Sequence, residues 1–135
     1  MQAIKMTGVF ALTLATFLAL DAVWLGVVAK EMYRRELGHL LAPEVRWGAA
    51  VTFYLLYVAG LLALIVLPGR AAPLVRTAAT GALFGLVAYA TYDLTNLATL
   101  MRWPLSVTLA DLAWGAFATA VAAAAGHGYA RWLLP

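Results

Sequence analysis

Three aspartates, Asp21, Asp93 and Asp111, each lie well inside a long apolar stretch rather than at its edge. A carboxyl group in such a place can hold a proton, neutralise a cation or serve as an acid–base group. It is also costly. An aspartate at mid-helix in a bilayer costs about 2.5 to 3.5 kcal/mol on insertion scales, so three left charged and unpaired would cost on the order of 8 to 10. The spacing suggests that they act together. Asp21 precedes Lys30 by nine residues, Asp93 precedes Arg102 by nine, and Asp111 follows Arg102 by nine. At about 1.5 Å per helical residue, each carboxyl would sit roughly 13 Å below one basic face.

Their neighbours extend the pattern. Trp24 follows Asp21 by three, Asn96 follows Asp93 by three, and Trp114 follows Asp111 by three, which gives each aspartate an aromatic or amide companion on its own helical face. Tyr54 lies eight residues inside Arg46, with Tyr57 deeper, and Tyr89 and Tyr92 flank Asp93. If the four faces converge, the expected result is a polar, aromatic-walled pocket open towards the basic face, with Asp21, Asp93, Asp111, Asn96, Tyr54, Trp24, Trp114 and Tyr92 as ligand- or proton-binding candidates. The competing reading is structural: the same aspartates could bond Asn96, Thr95, Tyr54 and indole N–H groups simply to tie helices together, for about 0.6 to 2 kcal/mol each.

Four apolar stretches are long enough to carry these residues across a hydrocarbon layer, approximately 7–29, 47–67, 74–101 and 105–130. Of 135 residues, 65% are hydrophobic and 11% charged, with a mean hydropathy of +0.90, against about half and a quarter in soluble domains. In lipid such stretches must be helical, since unpaired backbone groups find no water there and the runs lack the alternation of barrel strands. Lys5 followed by an apolar run has the look of a secretory leader, but the run resumes after Asp21 and no A-x-A pattern follows, so it reads as a span. The expectation is an all-α, four-helix up-down-up-down transmembrane bundle in one domain, 1–135, with both termini on one side.

The connections are short. Between the first two spans, residues 30–46 carry Lys30, Glu31, Arg34, Arg35 and Arg46 together with Met32, Tyr33, Leu37, Leu40 and Leu41, the pattern of a short amphipathic helix on the bilayer surface, with Glu31 and Arg35 spaced to pair. Lys30, Arg34, Arg35, Arg46 and Arg102 are the expected contacts to lipid head groups. Pro68-Gly69 to Pro73 and Arg102-Trp103-Pro104 read as turns, and Trp47, Trp103 and Trp132 as interfacial anchors. Lys and Arg divide four to five between the two faces, which leaves orientation open.

Other chemistry is sparse. There is no cysteine, phosphate loop, nucleophile elbow, H-E-x-x-H or aromatic-basic block, so thiol chemistry is excluded and nothing suggests nucleic acid. His39 and His127 fall towards opposite faces and do not suit a shared haem; no cofactor is evident and no metal site is assigned, although a carboxylate-only site would suit a hard cation. Gly81 and Gly85 form a G-x-x-x-G, and 120–126 is a run of small residues, suited to close helix packing within the chain or against a partner. Asp21 and Asp93 each precede a basic loop, and Arg46-Trp47 and Arg102-Trp103 each open the next span, a faint echo of two parallel hairpins.

The segments 18–26 (LALDAVWLG), 33–41, 89–99 (YATYDLTNLAT), Trp103-Pro104 and 111–115 (DLAWG) resemble a family of small bacterial membrane proteins catalogued as domain of unknown function 2177, over nearly the whole chain. The resemblance implies a four-span protein of the bacterial inner membrane and brings no catalytic residue with it. Three functions remain open: a small carrier built on the aspartates, as a homodimer because four helices are few for alternating access; a membrane-embedded enzyme acting on a lipid or isoprenoid; or an accessory subunit of a larger membrane complex.

Overall fold

Long runs of Leu, Val, Ala and Phe without internal proline become helices, and prolines and a left-handed residue interrupt them. In the computed structural model, which describes Met1–Pro135, α1 spans Gln2–Val23 and continues through a wide π turn, Trp24–Val28. A short α2 follows at Lys30–Leu37. Next, α3 spans Trp47–Leu61 and ends in a second π turn, Leu62–Val66; α4 covers Leu74–Thr99 and α5 Leu105–Leu133. Four of these helices, each with its π turn where it has one, are long and apolar enough to cross a membrane. The protein is thus an all-α membrane bundle. The first helix begins five residues before the expected start at Thr7 and the last runs to Leu133 rather than Ala130, because Gln2 to Met6 and Arg131 to Leu133 carry nothing that breaks a helix.

The distribution of polarity is inside out. Leu56, Leu64, Val75, Leu83, Val87 and Leu109 are exposed, whereas Thr13, Asp21, Thr77, Asp93, Thr108, Asp111, Thr119 and His127 are buried. A chain dissolved in hydrocarbon gains nothing by hiding leucine but must satisfy its polar groups internally. The exposed threonines do this locally: Thr7, Thr52, Thr80 and Thr91 each donate to the carbonyl four residues earlier.

At the centre of the packing is α5, which α4 follows along its length, α1 flanks, and the π turn ending α3 touches. Glycine sets the approach of α4. A Cβ on Gly81 would meet Ala123 and, at 3.0 Å, the Thr119 carbonyl oxygen, and one on Gly85 would run into the Gly115 carbonyl oxygen and Thr119. Gly115 in turn makes room for the Tyr89 ring. The small residues thus pack α4 on α5 inside the chain. Against this, α3 nears α4 mainly at its terminal π turn. The two halves are therefore not equivalent hairpins, since α4 and α5 pack far more intimately than α1 and α3.

Met1, Lys5, Arg70 and Pro135 lie together, so both termini sit beside the α3–α4 connection. At the other end α4 stops at Thr99, Leu100 is extended, and Arg102 takes a left-handed φ of 60° before Trp103-Pro104 opens α5. Trp103 is not the exposed anchor expected: it is buried with Leu37 and Val107, donates to the Thr108 hydroxyl at 3.1 Å, and meets Tyr92 edge-on. Trp47 and Trp132 are exposed, as anchors would be. The apolar side of α2 faces the bundle through Tyr33 and Leu37 rather than lying wholly on a surface, while Leu40 and Leu41 remain exposed. Glu31 pairs with Arg34 at 3.3 Å instead of Arg35, which turns to Glu36 at 2.9 Å.

Candidate functional site

The three aspartates come from α1, α4 and α5, and all are buried. Each meets a different environment. Asp21 is satisfied twice, by the Trp114 indole N–H at 3.1 Å on one oxygen and by the Tyr54 hydroxyl on the other. Asp111 accepts a hydrogen bond from the Tyr33 hydroxyl, which itself accepts from the Trp24 indole N–H at 2.9 Å. The two indoles stack with ring centroids 4.6 Å apart and planes 3° from parallel. Thus α1, α2, α3 and α5 are joined through one polar and aromatic network.

The tryptophans are exchanged relative to the expectation from spacing. Trp114 lies three residues after Asp111 but serves Asp21, and Trp24 lies three after Asp21 but serves the Tyr33 that holds Asp111. The i, i+3 relation places each indole on the face of its aspartate, yet that face points at a neighbouring helix, and the N–H reaches across to it.

Asp93 is the exception. It is fully buried, and no N–H or hydroxyl group donates to either carboxyl oxygen. Its carboxyl lies beside that of Asp111. Asn96 does not bond it, and the Thr95 hydroxyl is turned to its own backbone, towards Thr91 and Tyr92 carbonyls. No lysine or arginine pairs with any of the three aspartates, the two ion pairs of the chain both lying on α2. Nor do three of the acidic and histidine side chains converge as a metal cage would require. The arrangement is an isolated, doubly bonded Asp21 and an adjacent pair, Asp93 and Asp111.

A cavity of about 380 Å³ reaches this pair from the side. It is lined by Phe53, Tyr57, Ala88, Tyr89, Tyr92 and Asp111, and lies where α3 stands off from α4. Phe53 and Tyr92 form its outer part, being 42% and 58% exposed. Of the expected candidates, Asp21, Asp111, Tyr54, Trp24 and Trp114 share the network, Tyr92 lines the cavity, Asp93 adjoins Asp111, and Asn96 bonds none of the aspartates. Lys30, Arg34, Arg35, Arg46 and Arg102 are all exposed.

Tyr33 belongs to the network but was not among the candidates. It is 78 residues from Asp111 in sequence, on a connecting helix where a tyrosine reads as part of an apolar face. The available signal was its i, i+4 relation to Leu37, which puts both on the side of α2 that meets the bundle. Burial, and next its bond to Asp111, push the Tyr33 phenol well above its ordinary range, so it stays a neutral donor. Elsewhere, the buried His127 bonds Thr77 through Nδ1 at 3.1 Å while Nε2 is sealed without a partner, among the residues near the terminal end.

In comparison with known proteins, a family model described as "Predicted membrane protein (DUF2177)" matches residues 6–128. No curated protein and no solved structure matches the chain.

Proposed function

The chain belongs to this family of membrane proteins, and from that premise we propose that Asp93 and Asp111, supported by Asp21, form an intramembrane site that binds a cation and exchanges protons in a small carrier of the bacterial inner membrane. The observation that carries the reading is Asp93, fully buried, offered no N–H or hydroxyl donor and next to a second carboxyl. Two adjacent buried carboxyls repel when both are charged, and no Lys or Arg offsets them. The pair must therefore hold a proton or an external cation, and the two are interchangeable in charge. Removing one admits the other, which is the elementary step of proton-coupled binding.

Asp21 is a supporting group, since both its oxygens are already occupied by donors. The exposed Lys30, Arg34, Arg35, Arg46 and Arg102 meet lipid head groups at the α2 end, and both termini lie at the opposite membrane face. The carrier is a homodimer, because four helices leave little material for alternating access within one chain.

Infrared spectroscopy of the protein in lipid nanodiscs tests the site. The C=O band of a protonated carboxyl should lose intensity as the pH is raised, and Asp93→Asn should remove that response while Asp21→Asn retains it. A wild-type band indifferent to pH would overturn the reading in favour of static packing.

A further inference from the structure

The cavity beside the acidic pair is more elaborate than proton exchange requires. Four aromatic rings, those of Phe53, Tyr57, Tyr89 and Tyr92, surround a wall whose one acidic group is Asp111. No lysine or arginine lines it, so nothing there would hold an anion. A hard divalent ion would demand about six to eight oxygen ligands, and no group of three His, Asp or Glu side chains gathers here to begin such a shell. The geometry points to a lipophilic organic ammonium ion as the occupant, its charge against Asp111 and its apolar substituents among the four rings. This rests on the reading of Asp93 and Asp111 as an exchangeable acidic pair and specifies the ligand of that site.

Three observations converge on that class of ligand. Aromatic faces carry negative quadrupole potential, and rings grouped around a cation recognise alkylated ammonium groups, which shed water readily. Behind Asp111, the fully buried Asp93, which no N–H or hydroxyl group reaches, adds acidic character that no basic residue cancels. At about 380 Å³ the space is in the range of small-molecule pockets. Its position also defines a route. The cavity opens between α3 and α4, past the exposed Phe53 and Tyr92, so an amphiphilic cation dissolved in the bilayer enters sideways rather than from water.

The test is titration of the full chain in lipid nanodiscs with benzyltrimethylammonium, followed by ligand-observed NMR, with (2,2-dimethylpropyl)benzene as the uncharged analogue of the same shape. Binding of the cation, about tenfold or more tighter than the analogue, is expected, with about a tenfold loss in Phe53→Leu and a larger loss in Asp111→Asn. Phe53 is partly exposed, so its leucine variant should fold even if Asp111→Asn does not. Equal binding of the two probes, or cation binding unaltered in Phe53→Leu, would overturn the inference. Failure of the cation to bind while the carboxyl infrared band still responds to pH would overturn the ligand class and leave the exchangeable pair standing; loss of both would remove the two together.

Discussion

The indoles of Trp24 and Trp114 lie face to face, 4.6 Å between centroids and 3° from parallel, and their N–H groups point to different carboxyl arms, one to Asp21 directly and the other to Asp111 through Tyr33. The stack thereby couples α1 to α5 at the level of the acidic groups. Each ring fixes the other's plane, and the plane fixes where each N–H can donate. Substitutions in this network should act on positions far apart in sequence.

A first consequence concerns Trp114→Phe, which keeps an aromatic ring for the stack but deletes the donor to Asp21. It should cost about 1 to 2 kcal/mol in thermal or denaturant unfolding in detergent. In a double-mutant cycle with Asp21→Asn the two losses should overlap, because both remove the same bond. Full additivity would show that the 3.1 Å contact contributes nothing.

Tyr33→Phe should free α2. It removes the donor to Asp111 and leaves the Trp24 N–H without its acceptor. Amide hydrogen exchange in Lys30–Leu37 should quicken by about tenfold, corresponding to roughly 1.4 kcal/mol, while exchange in α4 stays unchanged. Uniform acceleration throughout the chain would instead mean a global loss of stability.

Alkaline stability should depend on the same hydroxyl. The Tyr33 phenol is held well above the ordinary tyrosine value of about 10 by burial and by Asp111, so above that pH the unfolded state releases a proton that the folded state keeps. The unfolded chain then binds fewer protons, and stability must fall as pH rises. This contribution is fully present below about pH 10 and lost above it. The difference in Tm between wild type and Tyr33→Phe should therefore narrow as pH passes that value, and a constant difference would contradict the assignment.

Glycine substitutions separate close packing from mere helix propensity. Gly85→Ala drives a methyl into the Gly115 carbonyl and Thr119, whereas Gly48 and Gly128 have open space at the same position. Gly85→Ala should destabilise by about 1 to 3 kcal/mol; Gly48→Ala and Gly128→Ala should be neutral or slightly stabilising. Thermal unfolding of the three variants in one detergent checks the contrast.

How much of this the sequence discloses follows from the range of each interaction. The helices are legible because an apolar run in lipid has one way to satisfy its backbone, and the connections at Pro68–Pro73 and Arg102–Pro104 are marked by residues that end helices. Counting residues to the basic loops gives Asp21, Asp93 and Asp111 one expected depth. Partner choice does not. That Trp114 serves Asp21 depends on how α1 and α5 are rotated about their axes, a tertiary quantity that i, i+3 spacing leaves open. Trp103 sits at a span end like Trp47, but α2 folds over it and buries it. Asn96 is one turn from Asp93 and yet does not bond it, because a shared face brings side chains near each other without orienting them.

The most direct measurement is proton flux in proteoliposomes loaded with a pH-sensitive dye, driven by an outward gradient of benzyltrimethylammonium and compared between wild type and Asp93→Asn. Wild type should acidify the lumen as cation leaves and protons enter, and Asp93→Asn, still folded by its circular dichroism, should not exceed protein-free vesicles. Equal flux in the two proteins, above that of protein-free vesicles, would contradict a role for the Asp93–Asp111 pair in exchange.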